Sequence, residues 1–172
     1  MLNNEITAFL KVCQTEAKKH GAISILEWGS GYSTSYFPAK LEKMNIPYTW
    51  TAVEHDPVWA ENVSNMISSN SNITLIKAPL GELYVRAPKG HFTIALVDGR
   101  MRNECIKYAK EISDIVILHD AQRKRYPTKG TYIGSRLKII GTDNIFSKLH
   151  PLLWKLRVFV WKHTKARLHQ AQ

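Results

Sequence analysis

A chain of 172 residues that is 44% hydrophobic and 22% charged has the length and composition of one folded domain, which excludes a disordered or fibrous protein. No apolar run approaches the ~20 residues of a bilayer-spanning helix, and two cysteines without a CxxC spacing make neither a disulfide framework nor a zinc site. The net charge of +10 favours anionic partners such as nucleic acid, phosphorylated sugars or an acidic membrane face, with plain solubility as the alternative. The first residues lack a basic region ahead of an apolar core, so no signal peptide is expected and the reading is a soluble, cytoplasmic protein. One domain is expected over residues 1–162, followed by a basic tail at 163–172 that frays.

The chain opens on a helix. Asn4 is suited to cap it, and Ile6, Phe9, Leu10 and Cys13 recur at helical spacing. Lys18, Lys19 and His20 suit its negative end, and Gly21 stops it. Residues 23–34 then read ISILEWGSGYST. Ile23, Ile25 and Leu26 are strand formers, as in a buried parallel strand. Gly29 and Gly31 allow a tight turn and let a ligand come close to the backbone. Ser33 and Thr34 can start a helix, whose first N–H groups are unpaired. Strand, turn and helix start together make a small-molecule pocket at the carboxyl end of a parallel sheet, with Tyr32 bordering it. A tight turn that binds nothing is the alternative.

A helix interrupted near Pro38 follows over 35–44, then a second strand over 48–53. That strand ends in Glu54-His55-Asp56-Pro57. An acid at the second strand tip, about 20–25 residues past the glycines, can accept both hydrogen bonds of a ribose diol. Asp56 is the cap and Pro57 the first residue of a helix over 57–68, with Val58, Val63 and Met66 toward the sheet and Trp59 packing. A short third strand over 73–76 leads into a loop holding Leu80. The fourth strand, 92–97, ends in Asp98-Gly99-Arg100, and the next helix carries Cys105, Ile106, Ala109 and Ile112. The fifth strand, 114–118, ends in His119-Asp120. Both cysteines fall in helices among apolar neighbours and read as buried thiols. A basic loop over 122–129 lies above the site, residues 136–140 suit a sixth strand, and 154–161 alternate like a last, antiparallel one. The expected fold is a doubly wound α/β sheet of six to seven mostly parallel strands with helices on both faces.

The run Glu27-Trp28-Gly29-Ser30-Gly31 resembles the first motif of class I S-adenosylmethionine-dependent methyltransferases, an acid-x-Gly-x-Gly turn. Glu54 falls where that family keeps its ribose-binding acid, and Val97-Asp98-Gly99-Arg100 and Ile117-Leu118-His119-Asp120 look like its fourth and fifth strand ends. The resemblance covers residues 23–120 and implies S-adenosylmethionine as cofactor. It implies a cofactor site of Glu27, Gly29, Ser30, Gly31, Tyr32, Ser33, Thr34, Glu54, His55, Leu80, Asp98 and Gly99. Two departures stand out. No aspartate follows the third strand, and Glu111-Ile112-Ser113 replaces the proline and paired glycines common before the fifth.

Methyl transfer is an in-line displacement helped mainly by holding the partners in line. A hydroxyl acceptor must also lose its proton. His119 is the natural base by its reference pKa of ~6.5, and packing beside the cofactor is its other reading. Asp120 can orient His119, bind the acceptor or act itself. Asp98 and Asp120 could hold Mg²⁺, although Ala121 stands where such enzymes follow the second acid with asparagine, so no metal is favoured. Arg100, Arg102 and Arg123, with Lys124 and Arg125, form either a basic rim for a small anionic acceptor, such as a uronate, or a solvated loop. The competing classes are a nucleic-acid (RNA) methyltransferase, supported by charge alone, and a nicotinamide oxidoreductase, weakened by Thr34 where a third glycine is needed. A non-catalytic relative acting as an interaction module is the last. Oligomeric state is open.

Overall fold

The structure is a computed structural model that describes residues 3–123, 125–126 and 129–140. Helix α1 spans Asn3–His20 and buries Glu5, Phe9, Val12, Cys13 and Glu16 at three- and four-residue steps. Gly21, at φ +79°, closes it by donating to Ala17 O at 2.8 Å. The chain then alternates. Strand β1 is Ile23–Trp28, helix α2 Tyr32–Lys43, strand β2 Tyr48–Glu54, helix α3 Pro57–Ile67 and strand β3 Ile73–Lys77. A one-turn helix α4, Glu82–Val85, precedes strand β4, Phe92–Val97. Helix α5, Arg102–Ile112, leads to strand β5, Ser113–Leu118, and two short strands follow, β6 (Thr131–Tyr132) and β7 (Lys138–Ile140).

The sheet order is β3-β2-β1-β4-β5-β7-β6. The first five pair in parallel, and β7 runs antiparallel to both β5 and β6. The chain winds outward from β1 to β3, then returns to β4 on the other side. The order therefore reverses between β1 and β4, and a crevice opens at their carboxyl ends.

Alternation along the strands builds two cores. Ile25, Ile94 and Leu96 join Phe9, Phe37 and Trp50 on one face. Leu26, Trp28, Ala95 and Val97 join Tyr84, Cys105 and Ile106 on the other. All six residues of β4 are buried, as expected of a central parallel strand. Both cysteines are buried thiols, and burial pushes that of Cys105 up to about 12.

Two expectations need correction. Helix α2 starts at Tyr32 and runs unbroken through Pro38, which is buried within it. Helix α3 turns Ala60, Val63 and Ile67 inward at three- and four-residue steps and leaves Val58 and Met66 exposed. The sixth strand expected over 136–140 is present as β7, and a two-residue β6 lies beyond it at the edge. The expected strand at 154–161 and tail at 163–172 lie outside the described residues. Among the described residues no helix is long and apolar enough to cross a membrane.

Asp56 caps α3 as expected, its Oδ1 accepting from the N–H groups of Val58 and Trp59 at 2.9 Å each. Asp56→Ala should cost about 1 kcal/mol. Thermal unfolding followed by circular dichroism should show a midpoint lower by about 2–4 °C. An unchanged midpoint would mean that the cap carries no stability.

Candidate functional site

The turn after β1 is held from below. Glu27 is fully buried; one carboxylate oxygen accepts from Ser33 Oγ, the other from Thr34 Oγ1 at 2.7 Å and Trp50 Nε1 at 3.0 Å. Burial pushes its carboxyl up to about 7, the three hydrogen bonds pull it down, and the charge of Asp98 adds to the rise. Glu27 and Thr34 line neither of the two cavities at the strand tips. Both were expected at the cofactor. They instead fasten the first turn of α2 to β1 and β2.

The two glycines of the turn have different reasons. Gly29 has φ +92°, and a Cβ on it would lie 2.5 Å from Gly99 Cα. A Cβ on Gly99 would lie 2.1 Å from Tyr84 Oη. The tips of β1 and β4 therefore touch backbone to backbone, and it is this contact, before any ligand, that demands glycine. At Gly31 a Cβ would meet only Trp59, at an ordinary 3.8 Å.

Glu54 ties this turn to the tip of β2. Its Oε2 accepts from Ser30 N (3.0 Å) and Ser30 Oγ (3.1 Å). Its Oε1 accepts from the N–H groups of His55 (2.9 Å) and Asp56 (3.0 Å), with His55 Nδ1 at 2.8 Å. Trp59, taken from the sequence as a packing residue, is half exposed and donates from Nε1 to Ser30 O at 2.8 Å.

The tips of β4 and β5 are tied by Arg102. It is 8% exposed and donates to the carbonyls of Gly99 (2.9 Å), His119 (2.6 Å) and Asp98 (2.7 Å), and to Asp98 Oδ1 (3.0 Å). Its fork of donors matches three carbonyls converging at adjacent strand ends, so it braces them, and it also lines the larger cavity on whose rim it was expected. His119, expected as the base, is 7% exposed and lines neither cavity. Its Nδ1 donates to Asp98 Oδ1 at 2.8 Å, and its buried Nε2 makes no hydrogen bond but faces Glu5 Oε2 at 3.8 Å. Asp120, at φ +54°, also lines neither cavity, and its carboxylate lies 2.6 Å from Arg123, 3.6 Å from Arg136 and 3.7 Å from Arg102.

Glu5 is the buried residue that the sequence reading passed over. It accepts from Ser135 Oγ (2.8 Å), Arg136 N (3.0 Å) and Arg136 Nε (3.2 Å), so α1 is locked to the chain beyond β5. An acid on the apolar stripe that carries Phe9, Val12 and Cys13 was the available signal.

Ligand atoms of Asp98, His119 and Asp120 lie within 4.8 Å of one another. They do not fit Mg²⁺. Guanidinium groups already neutralise both carboxylates, and a hard cation that wants oxygen ligands would meet an imidazole and three arginines.

Two cavities open at the strand tips. The larger, of about 650 Å³, is lined by Glu54, His55, Trp59, Gly99, Arg100 and Met101, among others. Arg123, Arg125 and Tyr126 also border it, so the basic loop does reach the site. Lys124 lies outside the described residues. The smaller, of about 290 Å³, is lined by Ile6, Ser30, Gly31, Tyr32, Ser33, Tyr36 and Phe37. Gly29 and Asp98 border both. Leu80 borders neither: the loop after β3 turns its side chain outward, half exposed.

No family model and no curated protein sequence matches the chain. Solved structures do. WbdD superposes with a TM-score of 0.53 at 11% identity, over 68% of this chain and 29% of WbdD. An O-methyltransferase from Bacillus cereus bound to S-adenosylhomocysteine gives 0.49 at 16% identity, over 66% of this chain and 56% of that one. The O-methyltransferase TomG from Streptomyces achromogenes, bound to S-adenosylmethionine, gives 0.47 at 14% identity, over 68% and 60%. The chain thus spans about a third to three fifths of the length of these structures. The strand order, the parallel set and the antiparallel β7 define the Rossmann-like fold of class I S-adenosylmethionine-dependent methyltransferases.

Proposed function

We propose that the protein is an S-adenosylmethionine-dependent methyltransferase that acts on a hydroxyl group of a small polar acceptor, a sugar or uronate being the model case. The observation that carries this is the pair of cavities meeting at Gly29 and Asp98, one bordered by the β2 acid and one by the glycine turn.

The residues present fit the cofactor. The larger cavity has the volume of a cofactor site. Glu54 is at its wall to take the ribose diol, in competition with Ser30 Oγ and His55 Nδ1, which hold its oxygens otherwise. Gly99 and Met101 border the space beyond, for the adenine. Gly31 keeps a Cβ out of the approach beside Trp59. When bound, S-adenosylmethionine supplies a methyl group activated by a sulfonium. The chain's contribution is to hold the acceptor oxygen in line and to take its proton. Arg100, Arg123 and Arg125 would draw an acidic group toward the mouth of the larger cavity.

Thermal melts with S-adenosylmethionine, S-adenosylhomocysteine and NAD test the reading. Saturation at ~100 times the dissociation constant should add ~2.7 kcal/mol, a rise of about 5–10 °C. The rise should appear with the two adenosyl ligands only. Glu54→Gln is the better variant, because Glu54→Ala would strand several N–H donors and lower stability by itself. Gly31→Ala should melt like the wild type without ligand and lose the rise with it. A rise with NAD alone, or with none of the three, would overturn the proposal.

A further inference from the structure

Resting on the reading above, the cofactor lies along the glycine turn in the smaller cavity and past Glu54 in the larger. That leaves one end of the larger cavity without an occupant. Glu54, His55 and Trp59 line the cavity from the tip of β2 and the start of α3, whereas Arg123, Arg125 and Tyr126 line it from the chain after β5. In the order β2-β1-β4-β5 these two sides stand three strand spacings apart, about 14 Å. The β5 side is basic. Arg100, Arg102, Arg123 and Arg125 border it, with Asn103 and one acid, the exposed Glu104. Two of the four guanidiniums are engaged within the protein. Arg102 braces the strand tips, and Arg123 lies 2.6 Å from Asp120. The other two, Arg100 and Arg125, are exposed and pair with no acid among the described residues. The ring of Tyr126 carries the guanidinium of Arg102 at 5.4 Å and that of Arg125 at 5.0 Å, so it joins the brace to the basic loop.

We propose that this end binds a phosphomonoester on the acceptor, gripped by Arg100 and Arg125, so that the substrate class is a small sugar phosphate. The charge count favours phosphate over carboxylate. Two unpaired guanidiniums bring two positive charges, and a phosphomonoester carries about −1.5 to −2 at pH 7 on three acceptor oxygens. A uronate or a phosphodiester brings only one charge. The forked donors of arginine match phosphate oxygens in pairs. Tyr126 is a positioning residue, since its ring holds Arg125 against the cavity. The phosphate then anchors the sugar, and a hydroxyl can turn toward Gly29 and Asp98, where the two cavities meet. A pH signature follows. The phosphomonoester gains its second charge through an ionisation near ~6 while arginine stays charged, so its affinity should rise severalfold from about pH 5 to about pH 7.5. Glu54, His55, Asp56, Asp98 and Glu104 also border the cavity. Loss of a proton from any of them makes the wall more negative and weakens an anion's binding, so a rise with pH can come only from the ligand.

The test is calorimetric titration of the full chain, saturated with S-adenosylhomocysteine, with glucose 6-phosphate, inorganic phosphate, glucuronate and glucose as separate probes. Glucose 6-phosphate and inorganic phosphate should bind, glucuronate about tenfold more weakly or worse, and glucose not at all. Affinity for glucose 6-phosphate should climb with pH as above, while that for glucuronate should not. Arg100→Gln and Arg125→Gln replace exposed side chains and should each weaken phosphate binding about tenfold, with the melting rise from S-adenosylhomocysteine kept. Tyr126→Phe should bind phosphate like the wild type and Tyr126→Ser severalfold more weakly. Failure to bind S-adenosylhomocysteine in the wild type would overturn the proposed function itself. S-adenosylhomocysteine binding with no phosphate binding, with glucuronate held as tightly, or with affinity flat in pH would overturn the phosphate site alone. A variant that also loses the rise with S-adenosylhomocysteine would place that arginine at the cofactor and overturn its assignment here.

Discussion

Gly29→Ala should lower stability by about 4 kcal/mol, a fall of about 8–16 °C in the unfolding midpoint of a domain this size. The added Cβ would sit 2.5 Å from Gly99 Cα and 2.6 Å from Gly99 N. Both are backbone atoms at the tip of β4, fixed by the parallel pairing of Trp28 with Val97, and they cannot swing aside like the end of a side chain. The backbone at φ +92° adds the strain of an L-residue in a left-handed conformation, about 1–2 kcal/mol. Displacing packed atoms supplies the rest. Gly31→Ala, two positions on, should change the midpoint of the unliganded protein by no more than the ~0.5 kcal/mol of a neutral substitution. Its φ of 170° is extended and its nearest contact would be Trp59 at 3.8 Å. Urea and thermal unfolding of the two variants check this. Wild-type stability in Gly29→Ala would mean that the two strand tips are not in contact.

That contrast also shows what a sequence can and cannot carry. The glycine turn, the acid at the second strand tip and the five parallel strands were legible, because each is written in a local pattern of strand formers followed by turn residues. The reason for Gly29 was not legible. It lies in Gly99, 70 positions away, and only the pairing of β1 with β4 brings the two together. The bracing role of Arg102 was hidden for the same cause. As one of several arginines after the fourth strand it reads as a surface cation, yet its donors reach carbonyls on two neighbouring strand ends. His119 was placed at the right strand tip, but the direction of its ring was not legible, since it depends on where α1 docks Glu5. Trp59 hid behind a sound prior for packing. The two-residue β6 is shorter than any alternation can reveal.

Glu27→Gln should flatten the pH dependence of stability between about pH 5 and 8, and should leave the variant about 3 kcal/mol more stable than the wild type at the alkaline end. Burial raises the folded carboxyl to about 7 from an ordinary 4.5. Between those values the folded protein holds a proton that the unfolded chain has released. Stability is therefore full below about pH 4.5 and is lost as the pH climbs through 7, where a bare charge must be kept in the core. The amide keeps the site's hydrogen bonds. Its oxygen can accept from Trp50 and Thr34, and its nitrogen can donate to the Ser33 hydroxyl, which rotates to accept. Other groups titrate alike in both proteins, so the difference between two midpoint–pH curves isolates residue 27, with a separation of about 6–12 °C expected at pH 8. Parallel curves would mean that the carboxyl is not held neutral by burial. The same pair of proteins bears on why an acid is kept there at all. If the variant retains equal midpoint rises with S-adenosylmethionine and S-adenosylhomocysteine, the carboxyl serves to hold the turn and its charge is incidental. If only the rise with the sulfonium form shrinks, the partly ionised carboxylate beneath the turn is felt by the ligand's positive charge, and the lost stability at neutral pH has a counterpart in binding.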